Sequence, residues 1–417
     1  MKILFKNPAQ IITVDTSGKN IKRGNDANEL KPLSNHSILT ENGIIIDFIP
    51  DSSLSKISAD STVNLNGLLV LPGLIDCHTH SAYAGSRAEE FLAYLKGATY
   101  EEIAGAGGGI TSTMKAVRSS SYDELIRLLK PRVDYFISQG ITTLEIKSGY
   151  GLSFYDEIKL LQVINYFRNT SAIDIIPTFL GAHSYPPEYK NDHEKYIALI
   201  TGELLPYVIK NKLSYSVDVF CEESAFSVNE TDKILSEAKK LGYAVHLHTD
   251  QFNSIGGLDV ALKYEALSVD HLEVISDEGI AKISQSNTVA VILPGVSFFL
   301  NHTYAPARKL IDSNAIVAIS TDFNPGSSHI PNLHMIMQLA ALKMNMSVEE
   351  IISAVTINAA KALGVNHFTG SIEIGKQADF AVFDASEYSE LIYNIGINLN
   401  KYTVKKGALI YQNPERQ

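Results

Sequence analysis

The middle of the chain repeats one unit: a short apolar run rich in β-branched residues ends in polar side chains and is followed by a helical pattern. Two of the helical stretches are SYDELIRLLKPRVDYFISQG and NETDKILSEAKKLG, the second of which ends at a glycine. Eight runs of this kind occur: residues 69–80, 142–150, 173–183, 216–223, 244–250, 267–273, 288–294 and 316–322. Eight strand-plus-helix units predict an α/β fold, a (β/α)8 barrel. A doubly wound open sheet is the alternative, but the count of eight and the polar ends of the runs favour the barrel.

Both ends of the chain have a different pattern. Short β segments separated by Asn, Gly, Ser and Asp clusters occupy the first part, and the same pattern returns in GSIEIGKQADFAVFD and TVKKGALIYQ near the other end. We therefore predict that both ends build one small β-sandwich domain. The predicted division is residues 1–66 for its first part, 67–365 for the barrel and 366–417 for its second part.

Composition excludes some classes of partner. The 417 residues carry a formal net charge of −11 without a dense cluster of Lys and Arg, so nucleic acid and anionic membranes are poor partners. The longest apolar run, residues 289–300, is shorter than the ~20 residues of a membrane span and contains Pro294. Two cysteines far apart in the sequence and an amino terminus unlike a signal peptide indicate a cytoplasmic protein.

Ligand-type side chains stand at the ends of three runs. His78 and His80 form an i, i+2 pair, and residues with this spacing on a strand point to the same face. His248 ends the fifth run and Asp322 ends the eighth. A pair of histidines in a surface turn would be the ordinary alternative. Because carboxyl ends of barrel strands meet at one rim, three imidazoles and one carboxylate there predict a site for a first-row metal ion with room for water.

Neighbouring residues refine this site. His271 ends the sixth run and is predicted to be either a further ligand or a base that orients water. His246 shares the strand face of His248 but lies deeper, so we predict that it is packed. Barrel hydrolases with two metal ions often carry a modified lysine at the end of the fourth strand. Cys221 and Glu222 stand there instead, which favours a single ion, with Cys221 as a small buried apolar residue.

Loops that follow the strands frame the pocket of a barrel. Arg87 lies in the loop after the first run, and its planar guanidinium suits a substrate carboxylate, although a solvated arginine is the commoner case. Tyr150 and His183 stand in comparable loops. The segment GAGGGITST (105–113) has Ile110 where a dinucleotide-binding pattern needs its third glycine, so we predict a mobile lid or a loop close to substrate.

Taken together, PGLIDCHTH, HTDQF, VDHLE and STDFNPGS resemble the amidohydrolase superfamily. CHTHSAYAGSRAEEF, GGGITST, EIKSGYGL and FLGAHSYPPEY narrow the resemblance to the imidazolonepropionase family, and the similarity extends over most of the chain. It implies hydrolysis of 4-imidazolone-5-propanoate to N-formimidoyl-L-glutamate, the third step of histidine degradation, by a water that one zinc or iron ion activates. It also suggests a homodimer.

The resemblance also implies roles for individual residues. The implied metal ligands are His78, His80, His248 and Asp322. The chemistry of the side chains fits this reaction, because Asp322 can also accept the proton of the water and His271 can orient the hydroxide or polarise the carbonyl. The implied substrate-site residues are Arg87, which would pair with the propanoate, and Tyr150, His183, Gln251, Asn324, Gly326 and Ser327. Related deaminases carry a Glu at the position of Gln251, which would face the ring here but cannot titrate.

Two other functions remain open on the sequence. A deaminase of the same superfamily, acting on cytosine or guanine, would require an acid at residue 251 and would not need Arg87. A metal-free scaffold built on a degenerate barrel would have lost its ligands, yet all of the candidate ligands are present.

Overall fold

Eight parallel strands form one sheet in which each strand pairs with its neighbour in chain order. The structure, a computed structural model, describes residues 1–98 and 108–416. The residues that follow the first and eighth strands close the barrel: Asp322 N donates to His78 O (3.0 Å), and Thr79 forms a parallel β-bridge with Phe323. The predicted (β/α)8 barrel is confirmed. Its strands are Leu74–Asp76, Ile141–Lys147, Asp174–Ala182, Ser216–Cys221, Ala244–Thr249, Ser268–His271, Val289–Ile292 and Ile316–Ile319.

Helices follow the barrel strands and shield them from water. Several begin at a serine whose hydroxyl accepts a hydrogen bond from the first turn, as Ser121, Ser153 and Ser227 do. The described α-helices are Ala88–Leu95, Ile110–Ser119, Tyr122–Ser138, Phe154–Thr170, His193–Leu199, Leu205–Lys210, Val228–Lys240, Gly257–Lys263, Asp277–Ser284, Pro294–Leu300, Ala307–Asp312, Leu333–Met344, Val348–Ala354, Ile357–Ala362 and Glu390–Tyr393. Within residues 1–98 and 108–416, none of the helices has both the length and the apolar character needed to cross a bilayer.

Two further sheets lie outside the barrel, one built from the amino-terminal part of the chain alone and the other from both ends. In spatial order, one consists of Ile44–Pro50, His36–Glu41, Lys2–Lys6 and Ser61–Asn64, and the other of Ala408–Gln412, Asn400–Lys405, Phe380–Phe383, Leu69–Pro72, Gln10–Ile12 and Pro32–Leu33. Phe5, Ile38, Val70 and Phe380 belong to one buried cluster that the two sheets share. The division of the chain at residues 66 and 365 remains a prediction.

The first run, residues 69–80, contains two strands instead of the single one that its composition suggests. Leu69–Pro72 pairs with Phe380–Phe383 in the terminal sheet, whereas Leu74–Asp76 pairs with the second barrel strand. The chain changes sheets at Gly73, where a Cβ would lie 2.2 Å from Thr142 Oγ1. His78 and His80 therefore lie two and four residues beyond Asp76, the last residue of the first barrel strand.

The glycine-rich segment is only partly described. Gly105 and Gly107, at the start of the segment for which we predict a mobile lid or a loop close to substrate, lie outside the described residues. The second half of the same segment forms the first turn of the helix Ile110–Ser119.

Candidate active site

Four ligand-type side chains converge at the carboxyl end of the barrel strands. The Nε2 atoms of His78 and His80 each lie 3.3 Å from Asp322 Oδ1. The Nε2 atoms of His80 and His248 are also 3.3 Å apart. All four side chains are buried. Elements that are far apart in sequence, at the ends of the first, fifth and eighth strands, thus bring the predicted ligands together.

This spacing fits a metal ion. Two nitrogen or oxygen atoms that each lie ~2.0–2.1 Å from one ion are about 3–4 Å apart, and the three distances of 3.3 Å fall in this range. Two of the converging atoms, His78 Nε2 and Asp322 Oδ1, are buried and have no hydrogen-bond partner among the described residues. Unsatisfied buried polar atoms are costly, and a cation between these atoms would satisfy them.

Carboxylates fix the orientation of two of the rings. Asp270 Oδ2 lies 2.7 Å from His78 Nδ1, and Asp218 Oδ1 lies 3.0 Å from His248 Nδ1. A carboxylate accepts from Nδ1–H, so the Nε2 atom of each ring faces the cluster. Metal-binding histidines are commonly held in this way.

The protonation of these side chains follows from their surroundings. Burial lowers the pKa of His80 and of His248 to about 3, which keeps both rings neutral, as metal ligands must be. Burial and the Lys147 charge also lower the pKa of His78, but Asp270 and Asp322 outweigh them and raise it to about 9. Although burial raises the pKa of Asp322, its contacts with the His78 and His80 rings hold that pKa well below the usual range.

His271 stands beside the four side chains. Its ring centroid lies 5.4 Å from that of His248 and 6.0 Å from that of His78. Ligand atoms of these three histidines lie within 4.8 Å of one another, and His271 Nδ1 is 3.5 Å from Glu273 Oε1. The backbone of His271 has a φ of +86°, an uncommon conformation for a residue with a side chain. Such conformations are concentrated at functional sites.

The predicted Tyr150 and His183 form a wall next to His80. The His80 and His183 rings stack with centroids 5.1 Å apart, and the Tyr150 centroid lies 5.3 Å from that of His183. His183 Nδ1 is 3.0 Å from Gly149 O, which ties one loop to the other. Burial lowers the pKa of His183 to about 3, so its ring is neutral and Nδ1 donates to that carbonyl.

A second wall forms around the loop after the eighth strand. Asn324 Oδ1 accepts from Gly326 N (2.8 Å) and Ser327 N (2.7 Å), and Asn324 Nδ2 donates to an oxygen of Asp322 (3.0 Å). The Arg87 guanidinium packs on Gly326, where a Cβ would lie 1.9 Å from Nη1. Arg87 Nε is held by Glu90 Oε2 at 2.7 Å.

Gln251 lies in the loop after the fifth strand and is buried. Glu222 supports this loop by accepting from Phe252 N (3.0 Å) and Asn253 N (3.1 Å). Cys221 belongs to the hydrophobic core of the barrel. The fourth strand therefore ends in a core residue and a carboxylate that holds the neighbouring loop.

Two polar residues near the proposed ligands form hydrogen bonds with neighbouring strands and loops. His246 Nδ1 lies 2.9 Å from Ser268 Oγ on the next strand. Asp76 is buried and accepts hydrogen bonds from the hydroxyls of Ser320 and Thr321. These contacts place both residues in the supporting structure of the site.

The sequence interpretation missed a buried charge cluster. Lys147 Nζ lies 2.9 Å from Glu145 Oε1, 2.9 Å from Asp218 Oδ2 and 4.0 Å from Asp270 Oδ2. The charges of Glu145 and Asp218 outweigh burial and raise the pKa of Lys147, so it carries an ammonium. The sequence did contain a sign of this cluster, because charged residues stand inside the otherwise apolar runs TTLEIKSGY, SVDVFCEE and LSVDHLE.

This chain is similar to proteins of known family. The model of the family described as "Amidohydrolase family" matches residues 69–410. An imidazolonepropionase of Geobacillus thermodenitrificans (strain NG80-2) is 42% identical over 416 residues, which covers 98% of each chain. An imidazolonepropionase of Clostridium tetani (strain Massachusetts / E88) is 40% identical over 413 residues, again covering 98% of each chain.

Solved structures with low sequence identity share the fold. An adenosine deaminase from Xanthomonas campestris with bound zinc has a TM-score of 0.73 and 17% identity, covering 98% of this chain and 92% of that chain. The guanine deaminase of E. coli has a TM-score of 0.73 and 16% identity, covering 99% of both chains. At these identities the similarity concerns the architecture alone.

Proposed function

The chain belongs to the amidohydrolase family and, within it, to the imidazolonepropionases, and we propose that the four converging side chains hold the metal ion of its reaction. The enzyme hydrolyses 4-imidazolone-5-propanoate to N-formimidoyl-L-glutamate in histidine degradation. The observation that carries the proposal is the set of 3.3 Å distances among His78, His80, His248 and Asp322, together with their unsatisfied atoms.

We propose one ion per chain, zinc or iron. Three imidazole nitrogens and one carboxylate oxygen suit either metal. When bound, such an ion supplies Lewis acidity and lowers the pKa of a coordinated water toward ~7. The remaining steps belong to the side chains of the protein.

In the proposed reaction, the oxygen of the attacking water adds to the ring carbonyl carbon, and Asp322 accepts a proton from that water. His271 orients that water and donates toward the carbonyl oxygen as negative charge develops there. The bond between this carbon and the ring nitrogen then breaks, and the proton passes to the leaving nitrogen. The product carries a new carboxylate and a formimidoyl group on nitrogen.

In this proposal, the two walls of the site and the loop that carries Gln251 position the substrate. Arg87 pairs with the propanoate carboxylate, and Gln251 binds the ring amide through its carbonyl and amide groups. The other residues proposed to line the pocket are Tyr150, His183, Asn324, Gly326 and Ser327. We further propose that the enzyme is a cytoplasmic homodimer, and sedimentation velocity of the purified protein would test its oligomeric state.

The proposed site can be tested through metal content and turnover. The purified protein should contain about one zinc or iron per chain and should consume freshly generated imidazolone propanoate in an absorbance assay. The double variant His78→Ala/His80→Ala should lose both metal and activity. Full metal occupancy in that variant would contradict the proposed ligands, and a protein that turns over only cytosine or guanine would favour the deaminase alternative.

A further inference from the structure

One buried ammonium is shared by three carboxylates in the barrel interior. Lys147 ends the second barrel strand and is 1% exposed. Its Nζ lies 2.9 Å from both Glu145 and Asp218 and 4.0 Å from Asp270. The second, fourth and sixth strands therefore meet at a single cation.

Two of these carboxylates contact a proposed metal ligand, and the third holds the backbone between two of the ligands. Asp218 holds His248 Nδ1 at 3.0 Å, and Asp270 holds His78 Nδ1 at 2.7 Å. Glu145 Oε2 accepts from the backbone N of Thr79 at 3.0 Å. Thr79 lies between His78 and His80 in the sequence, so the carboxylates around Lys147 hold two of the three rings and the backbone between His78 and His80.

The position of Lys147 bears on how many cations the site holds. Ligand atoms of Asp218, His248 and Asp270 lie within 4.8 Å of one another, a spacing that could itself hold a cation. The ammonium of Lys147 already provides a positive charge between the two aspartates. A lysine from the second strand thus supplies charge compensation next to the proposed metal site.

We propose that Lys147 is a positioning residue for the metal centre, where its ammonium holds Asp218 and Asp270 in place to orient the rings of His248 and His78. Without the ammonium, three buried carboxylates would repel one another in a medium of low dielectric constant. They would move apart, and the two imidazoles would lose their fixed orientation. This inference rests on the metal site of the proposed function.

The test compares two buried lysines. Lys147→Met removes the ammonium and keeps an unbranched chain of similar length. Lys405→Met is the matched control. Lys405, in the terminal sheet, is also buried, with a side chain that is 4% exposed, and its Nζ lies 2.7 Å from Asp174 Oδ2 and 2.8 Å from Asp379 Oδ2. Zinc affinity is measured by competition with a chelator, and the geometry of the site by visible absorption after loading with Co²⁺.

Lys147→Met should bind zinc about tenfold or more weakly than the unmodified protein and should show a changed Co²⁺ spectrum. Lys405→Met should match the unmodified protein in both measurements. If Lys147→Met does not fold, the double variant Lys147→Met/Glu145→Gln is measured in its place. It removes one positive and one negative charge, and the glutamine still offers an acceptor for Thr79 N. That variant should also bind zinc weakly.

The possible failures are distinguishable. If the unmodified protein does not bind zinc, iron or Co²⁺, the proposed metal site is overturned together with this inference. If the unmodified protein binds zinc and the Lys147 variants that fold have its affinity and Co²⁺ spectrum, this inference alone is overturned. A loss of affinity in Lys405→Met equal to that in Lys147→Met would also overturn it, since the effect would then be general to buried lysines.

Discussion

At the scale of single residues, Arg87 is the side chain that we propose to pair with the propanoate of the substrate. Glu90 holds Nε at 2.7 Å, and the Nη1 side packs against Gly326. Arg87→Lys retains the charge but loses the planar fork. We expect kcat/KM for imidazolone propanoate to fall by about tenfold or more, because a misplaced substrate also loses its orientation for attack. Steady-state kinetics measure kcat/KM, and Arg168→Lys on an exposed helix face is the control. An unchanged kcat/KM in Arg87→Lys would exclude the proposed contact between Arg87 and the substrate carboxylate.

Gln251 and Asp322 should respond differently to a change of one atom. Gln251→Glu changes only the hydrogen bond that we propose to the substrate ring, so at least partial hydrolysis should remain. Asp322→Asn weakens both a metal ligand and the proposed base, and kcat should fall by about 10²-fold or more. Single-turnover and steady-state rates, taken with metal content, measure both effects. Loss of activity in Gln251→Glu together with full activity in Asp322→Asn would reverse the proposed roles.

At the scale of elements, the loop after the second barrel strand is held by one carboxylate. Glu157, in the helix Phe154–Thr170, is completely buried. Its oxygens accept from the backbone N–H groups of Gly149 (3.0 Å), Gly151 (2.7 Å) and Leu152 (2.9 Å). Burial raises the pKa of Glu157, while these backbone donors oppose the shift. Tyr150 is therefore presented by a loop whose backbone is fixed from the helix behind it.

This arrangement predicts a specific effect of Gly149→Ala. Gly149 has a φ of +106°, and a Cβ there would lie 2.9 Å from Leu180 O and 3.1 Å from His183 Nδ1. The alanine should displace His183 and raise KM several-fold, besides costing about 1–3 kcal/mol of stability for the strained backbone. Gly242→Ala is the control, because Gly242 has a φ of +85° with nothing within 4 Å of its Cβ. Equal KM values in the two variants would show that the contact with His183 does not affect binding.

The sequence predicts the strands of this barrel better than the contacts between them. Runs of β-branched residues that end in polar side chains predicted which residues gather at the rim, because parallel strands end on one side. The change of sheet at Gly73 was missed, since an unbroken apolar run does not show which sheet it joins. Lys147 was missed for a related reason: its partners come from other strands, and strand register decides which side chains meet across the interior.

At the scale of the whole molecule, the proposed metal ligands join distant parts of one chain. His78 and His80 follow the first barrel strand, His248 lies in the fifth and Asp322 follows the eighth. A metal ion bound to all four would be released when the barrel unfolds, so binding and global stability are linked. The formal net charge is −11 and the substrate is an anion, so the overall charge of the protein does not attract it, and we propose that local charge at Arg87 and the ion does.

This linkage predicts that zinc raises the thermal stability of metal-depleted protein. A ligand at 100 times its Kd adds about 2.7 kcal/mol to the free energy of unfolding if the unfolded chain does not bind it. We therefore expect Tm to rise by several degrees on adding zinc to chelator-treated protein, measured by scanning calorimetry over a zinc titration. The double variant His78→Ala/His80→Ala should show no zinc-dependent shift. An equal rise in the variant would place the stabilising zinc elsewhere on the protein, because two of the four proposed ligands are absent from it.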